Sequence, residues 1–212
     1  MTDLRYIREE YRKDELSKAK ADQDPIRQFD NWMKEALEAQ LLHPTAMTLS
    51  TCGKDRRPSS RIVLLKDIDE KGFVFYTNYL SRKGREIIEN PFAALLFFWN
   101  ELERQVRIEG SIEKAEADQA DVYFASRPLK SRISAAISEQ SSEVPSRKYL
   151  ENRFQEFRDL HPVDFERPEF WGAYRLIPAY FEFWQGREDR LHDRIAYELK
   201  NQDAWSMKRL AP

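Results

Sequence analysis

The sequence predicts a mostly β domain with flanking helices, its strands forming an antiparallel barrel. Three observations predict it. Short β-rich runs are numerous and set apart by turn clusters, few long helices intervene, and no internal repeat, low-complexity tract or linker marks a second domain. With 212 residues the chain is long enough to bury a core of its own.

Taken in order, the charged stretch Leu4–Lys20 offers only Tyr6, Ile7, Tyr11 and Leu16 as apolar anchors. That stripe is too thin for a docked helix, so residues 1–20 read as a mobile arm and residues 21–212 as one domain. Asp24-Pro25 is a helix start, an N-cap acid followed by proline at the first helical position. Ile26, Phe29, Met33 and Leu37 then recur at helical spacing, with Trp32 and Leu41 beside them, as far as His43-Pro44. From there the period is strand-like: Thr45–Thr51, Ser59–Lys66, Phe73–Thr77, Phe92–Trp99 and Arg104–Gly110. Turn clusters such as Cys52-Gly53-Lys54-Asp55 and Asp69-Glu70-Lys71-Gly72 divide these runs, and a helix over Ser81–Glu89 interrupts them. Further helices are predicted at Ala115–Ala125, Leu129–Ser138 and Ser146–Leu160. Strands return at Trp171–Ile177, Tyr180–Trp184, His192–Glu198 and Trp205–Leu210.

Composition removes several functional classes. The 35 Lys and Arg nearly balance 37 Asp and Glu, which argues against a nucleic-acid coat protein. The longest apolar run, Phe92–Trp99, is too short for a membrane span. The single cysteine, Cys52, cannot build a disulfide within the chain or a multi-thiolate metal centre. Of the three histidines, His43 and His161 precede prolines, so a histidine-rich metal site is not expected. Neither a dinucleotide-binding glycine fingerprint nor a P-loop is present, so any phosphate must be held by side chains and a helix terminus.

The informative residues are cations where folding alone would not put them. In Arg61-Ile62-Val63-Leu64-Leu65-Lys66 the middle of the strand is apolar on both faces, which predicts a central strand ending in two cations. Taken alone, Arg61 and Lys66 read as strand ends that reach solvent. Arg82 and Lys83 follow Ser81 at the start of a helix, where the macrodipole favours acids, so an anion there would relieve them. If Arg190–Arg194 is extended, Arg190, His192 and Arg194 point the same way, beside Trp184. Tyr123, Arg127 and Ser131 fall at i, i+4 and i+8, a row suited to a phosphate monoester on a continuous helix, though Pro128 argues against that continuity. These clusters are too many for one phosphate. They suggest a phosphorylated cofactor beside a phosphorylated substrate.

With those residues in hand, the chain resembles the pyridoxine/pyridoxamine 5′-phosphate oxidases from about Arg8 to Pro212. Glu182-Phe183-Trp184-Gln185, followed after four residues by Arg190-Leu191-His192-Asp193-Arg194, is the most specific match. Arg61–Lys66, Val74–Asn78, Ser81-Arg82-Lys83, Leu102–Val106, Tyr123–Pro128, Gln140-Ser141-Ser142 and Arg209–Pro212 match in the same order. The resemblance implies an FMN-binding split β-barrel, a cytoplasmic homodimer with FMN at the subunit interface. It places the FMN contacts at Arg61, Ile62, Val63, Leu64, Leu65, Lys66, Tyr76, Thr77, Arg82, Lys83, Gln105, Gln140, Ser141, Trp184 and Arg194. Substrate would be held by Lys66, Tyr123, Arg127, Ser131 and Leu191, with Arg190 and His192 over its reacting carbon and Arg8 and Tyr11 from a lid.

The implied reaction oxidises pyridoxamine or pyridoxine 5′-phosphate to pyridoxal 5′-phosphate, with O2 reduced to H2O2. Two rivals stand beside it: a related split-barrel flavin enzyme with another substrate, and a non-catalytic carrier of pyridoxal phosphate.

Overall fold

These periodicities become nine strands and five helices in the computed structural model, which describes residues 10–200 and 204–212. In chain order they are α1 (Pro25–Glu38), β1 (Ala46–Cys52), β2 (Pro58–Leu64), β3 (Asp67–Asp69), β4 (Gly72–Asn78), α2 (Arg82–Glu89), β5 (Phe92–Trp99) and β6 (Arg104–Lys114). Then follow α3 (Ala117–Ser126), α4 (Leu129–Ile137), α5 (Arg147–Leu160), β7 (Trp171–Gln185), β8 (Asp193–Leu199) and β9 (Trp205–Leu210). Hydrogen-bonded neighbours run β2-β1-β5-β6-β7-β4-β3, and β8 pairs with both β7 and β9. The class is the expected one, mostly β with flanking helices. No described helix is long and apolar enough to cross a membrane.

The chain folds as two compact units, whose boundary falls inside β1, β5, β6 and β7. One unit comprises Met1–Thr48, Ala94–Glu109 and Pro178–Pro212. Within it, Asp24 caps α1 by accepting from the Ile26 N–H at 2.8 Å. The helix buries Phe29, Trp32, Met33 and Ala36, with Phe29 edge-on to Phe97 and Trp32 edge-on to Phe183. Each such aromatic contributes about 1.5–3 kcal/mol by leaving water. Leu37, expected on the buried stripe, is half exposed, and α1 stops short of His43 because Gln40 turns left-handed at φ 54°. The second half of β7 pairs with β8 in the register Phe181↔Tyr197 and Phe183↔Ile195.

The arm side of this unit is tied down by polar contacts. The buried Arg104 guanidinium bonds Gln185, Glu35 and Asp14 and lies 4.5 Å from the Trp32 ring. Glu103 accepts the backbone N–H groups of Arg12 and Lys13, and Asp193 accepts that of Leu16.

The other unit comprises Leu49–Ala93 and Gly110–Ile177. Its β4 pairs antiparallel with β3 and with the first half of β7, from Phe73↔Leu176 to Asn78↔Trp171. Phe73, Val74, Phe75, Ala173 and Leu176 are buried in this layer. Arg175 is buried with them and donates to Asp69, Glu113 and Glu116. Those partners offset the cost of burying its charge and hold its pKa above the ordinary guanidinium value against the opposing effect of burial.

Two further expectations change. Trp171–Ile177 and Tyr180–Trp184 are one continuous strand of 15 residues. Pro178 falls between the ladder to β4, which ends at Leu176, and the ladder to β8, which begins at Tyr180, so its missing N–H breaks neither. β2 is an edge strand, not a central one: Arg61 and Val63 turn partly inward while Ile62 and Leu64 stand 65% and 43% exposed. Apolar residues on both faces signal cover on both sides, and on the outer face that cover is not supplied by the sheet.

Candidate functional site

The unit built from Leu49–Ala93 and Gly110–Ile177 holds a cleft of about 920 Å³. Arg61, Ile62, Val63, Leu64, Lys66, Tyr76, Thr77, Lys83, Tyr123, Arg127, Ser131 and Gln140 all line it. Segments separated by up to 110 positions in the sequence, from Arg61 to Trp171, thus converge on one concavity. Leu65 is buried and Arg82 and Ser141 are exposed; these three are outside the lining.

One end of the cleft is a cation cluster at the start of α2. Ser81 caps the helix, its Oγ accepting from the Gly84 N–H. Gly84 is obligatory, since a Cβ there would sit 2.0 Å from the Tyr79 carbonyl oxygen. The cap buries Lys83, whose Nζ donates to Gln140 Oε1 at 2.8 Å, Thr77 Oγ1 at 3.2 Å and Ser81 Oγ at 3.3 Å. All three partners are neutral. Burial, with Arg61 adding repulsion, brings the Lys83 ammonium down to about 8. Arg61 does not end its strand in solvent. Its Nη1 donates to the Leu49 carbonyl and Thr51, and its Nη2 to Ser59 and Glu86.

The other end is aromatic. Tyr76 stacks on Tyr123 at 3.9 Å and on Trp171 at 5.4 Å, while the Arg127 guanidinium lies 4.7 Å from the Trp171 ring centre. The continuous helix behind the Tyr123–Arg127–Ser131 row does not form. α3 ends at Ser126, Arg127 is extended at φ −74° and ψ 148°, and α4 begins after Pro128, because proline excludes the helical conformation from the residue before it. The kink still leaves all three residues on the cleft wall. Arg127 Nη1 is buried with no hydrogen-bond partner among the described residues, and burial lowers the guanidinium's pKa.

The remaining candidates lie in the unit that carries the chain ends. Gln105 is half-buried on β6. Arg194 donates through Nε to the buried Glu182 at 2.9 Å and through Nη1 to the Ala211 carbonyl. Arg190, His192 and Arg194 do not share one strand face. Asp189 and Arg190 are left-handed at φ 53° and 60°, Leu191 and Arg190 are exposed, and β8 starts only at Asp193. Trp184, His192 and Tyr11 form one aromatic cluster, with Trp184–His192 at 4.7 Å and Tyr11 edge-on to both. Tyr11 fits because residue 186 is glycine; a Cβ there would meet its ring at 2.6 Å. Arg8 lies outside the described residues.

His192 Nδ1 accepts the Arg187 N–H at 3.1 Å, which assigns its own proton to Nε2. Partial burial, then Arg190, depress its pKa. Protonating it turns Nδ1 into a donor facing a donor. Any turnover that uses the neutral imidazole is therefore expected to fall on the acid side, below the ordinary histidine range. The pH profile of kcat should show that limb in the parent protein and lose it in His192→Asn.

Sequence reasoning missed Glu86, which joins Arg61 and Arg82, and Trp171, which carries Arg127. The first had a legible signal, its position four residues after Arg82. The second had none, since Trp171 reads as a core residue.

The cleft suits a flat phosphorylated group. Among the described residues the Lys83 ammonium has no carboxylate partner and a buried Arg127 nitrogen has no acceptor, both of which an anion would supply, and Ile62 and Leu64 offer apolar surface. Fold and site thus define a mostly β protein with an anion-binding cleft, the pattern of a split-barrel fold. Residues 33–161 match the pyridoxamine 5′-phosphate oxidase family model, and residues 171–212 match that of the pyridoxine 5′-phosphate oxidase C-terminal dimerisation region. The chain belongs to the pyridoxamine 5′-phosphate oxidase family, whose cofactor is FMN.

Among its relatives, a pyridoxine/pyridoxamine 5′-phosphate oxidase of Burkholderia vietnamiensis is 55% identical over 214 residues, covering 100% of both chains. One from Trichormus variabilis is 52% identical over 207 residues, 97% of each. Among solved structures, PhzG from Burkholderia lata in complex with tetrahydrophenazine-1-carboxylic acid superposes with a TM-score of 0.88 at 33% identity, covering 94% of this chain and 98% of that one. A pyridoxamine 5′-phosphate oxidase-related, FMN-binding protein from Nostoc punctiforme, at 17% identity and a TM-score of 0.72, covers 87% of this chain and 97% of its own and shares the fold.

Proposed function

We propose that the protein is an FMN-dependent oxidase of pyridoxamine and pyridoxine 5′-phosphate, working as a homodimer. The overall reaction turns the C4′ amine or alcohol into the aldehyde of pyridoxal 5′-phosphate while O2 becomes H2O2; the amine leaves as ammonia after water adds. The observation that carries this reading is the pairing, in one cleft, of a buried Lys83 among neutral acceptors with a buried, unpartnered Arg127 nitrogen. Two cationic ends in one concavity fit two phosphate esters.

When bound, FMN supplies the hydride acceptor and the path of both electrons to O2. The chain's own residues bind and orient. Arg61, Arg82 and Lys83 hold the cofactor phosphate, and Tyr76, Thr77, Gln105, Gln140, Ser141, Trp184 and Arg194 hold the rest of the cofactor. Lys66, Tyr123, Arg127 and Ser131 hold the substrate phosphate, which fixes C4′ at reacting distance. Arg190 and His192 steady the substrate ring. The Nε2–H tautomer of His192 donates a hydrogen bond and does not accept the departing hydrogen.

A second reading, oxidation of a carboxylated tricycle, draws on the likeness to PhzG. The higher identity of the full-length oxidase relatives and the four phosphate-type groups in the cleft favour the vitamer phosphate. Purified protein is expected to show oxidised-flavin absorption that bleaches on anaerobic addition of pyridoxamine 5′-phosphate and returns with air. Bands that stay unbleached would overturn the assignment. A colourless protein that binds pyridoxal phosphate would identify a carrier.

A further inference from the structure

We propose that Glu86 is a positioning residue for the cofactor phosphate, holding the Arg61 and Arg82 guanidinium groups in the arrangement that receives it. The proposal rests on the reading that this phosphate lies at Arg61, Arg82 and Lys83.

Glu86 is buried on α2 and collects four donors from three separate segments. Its Oε1 takes the Arg82 Nε–H at 2.8 Å. Its Oε2 takes Thr51 Oγ1 at 2.5 Å, Ser59 Oγ at 2.6 Å and Arg61 Nη2 at 3.3 Å. Burial alone raises a carboxyl's pKa, but these bonds outweigh it and hold Glu86 at about 2, so it is an anion at any working pH.

A carboxylate beside a phosphate site repels the ligand, and a site that only gathered positive charge would omit it. What it provides is order. Arginine side chains are long and flexible, and pairing them beforehand moves their loss of rotamer freedom from the binding step to folding. Three cations and one carboxylate also leave two net positive charges, the complement of a phosphoryl dianion. Lys83 bonds neutral acceptors instead, any of which a phosphate oxygen can displace.

The test is titration of flavin-free protein with FMN and with riboflavin, followed by flavin fluorescence, in the parent protein, Glu86→Leu and Glu86→Gln. Glu86→Leu is expected to weaken FMN about tenfold or more while riboflavin affinity is unchanged. Glutamine keeps one acceptor oxygen and leaves at least one arginine unheld, so Glu86→Gln falls between the two. A contribution to folding alone would lower both flavins together. If leucine costs riboflavin as well, the comparison of Glu86→Gln with the parent decides: weaker FMN supports the proposal. FMN affinity equal to or tighter than the parent's in Glu86→Gln overturns it, since charge removal would then outweigh any positioning. A parent protein that binds FMN no tighter than riboflavin overturns the phosphate reading itself, whatever Glu86 does.

Discussion

Lys83→Met is expected to weaken FMN by about a hundredfold while leaving riboflavin affinity where it was. The ammonium is buried at the N-terminus of α2, among three neutral oxygens, and among the described residues it makes no ion pair. Its charge is costly in the free protein, as the pKa of about 8 records. A dianion beside it relieves that cost, so the lysine discriminates for the phosphate and against the bare flavin. The sign of the pH dependence follows. Free Lys83 loses its proton above about 8, whereas the phosphate raises the pKa of the bound ammonium, so binding takes up a proton at alkaline pH. FMN affinity therefore falls as pH rises through 8, by at most about tenfold per pH unit. It also falls below about pH 6, where the phosphate becomes a monoanion. Dissociation constants measured across that span should describe a bell for the parent protein, and Lys83→Met should lack the alkaline limb. A variant that binds FMN as the parent does, at every pH, would remove Lys83 from the phosphate site.

What made Lys83 legible was that folding gives no reason for a second cation in the first turn of a helix. Arg127 stands out by the same logic, whereas Arg61 and Lys66, which alone read as strand ends in solvent, are marked as site residues only by the family resemblance; all three line the cleft. The logic failed where the answer lay in tertiary partners. For Glu86 the sequence shows only the spacing to Arg82, because Thr51 and Ser59, which bury it, sit far off in sequence on other strands. Arg190, His192 and Arg194 were placed on one strand face by alternation. The left-handed turn at Asp189 and Arg190 that defeats this has no glycine to announce it. The strand pattern of Arg61–Leu64 shows apolar residues on both faces, yet β2 is an edge strand, because periodicity reports that a face needs cover and not what covers it.

The Tyr123–Arg127–Ser131 row is the instructive case, since its helical premise fails at Pro128 and its conclusion survives, and it yields the second large effect. Arg127→Leu is expected to raise KM for pyridoxamine 5′-phosphate by about a hundredfold to a thousandfold with a much smaller change in kcat. The side chain rests against Trp171 at 4.7 Å, one nitrogen is buried without an acceptor, and burial works against its charge. A phosphate accepting from that fork would gain charge-assisted hydrogen bonds where partial burial already disfavours the bare charge, and leucine would leave it facing an apolar wall. Because the phosphate is remote from C4′, most of what its contacts supply is common to the ground and transition states, so their loss falls mainly on KM, and looser placement of C4′ accounts for the smaller change in kcat. Arg127→Lys keeps the charge without the planar fork and should lie between. Pyridoxamine lacking the phosphate provides the internal control: its slow oxidation should be indifferent to residue 127. Steady-state kinetics on both substrates decides the point. If the parent protein oxidises the two equally well, or if Arg127→Leu depresses both alike, the aromatic end of the cleft does not read a phosphate, and a carboxylated substrate becomes the better account of the same cations.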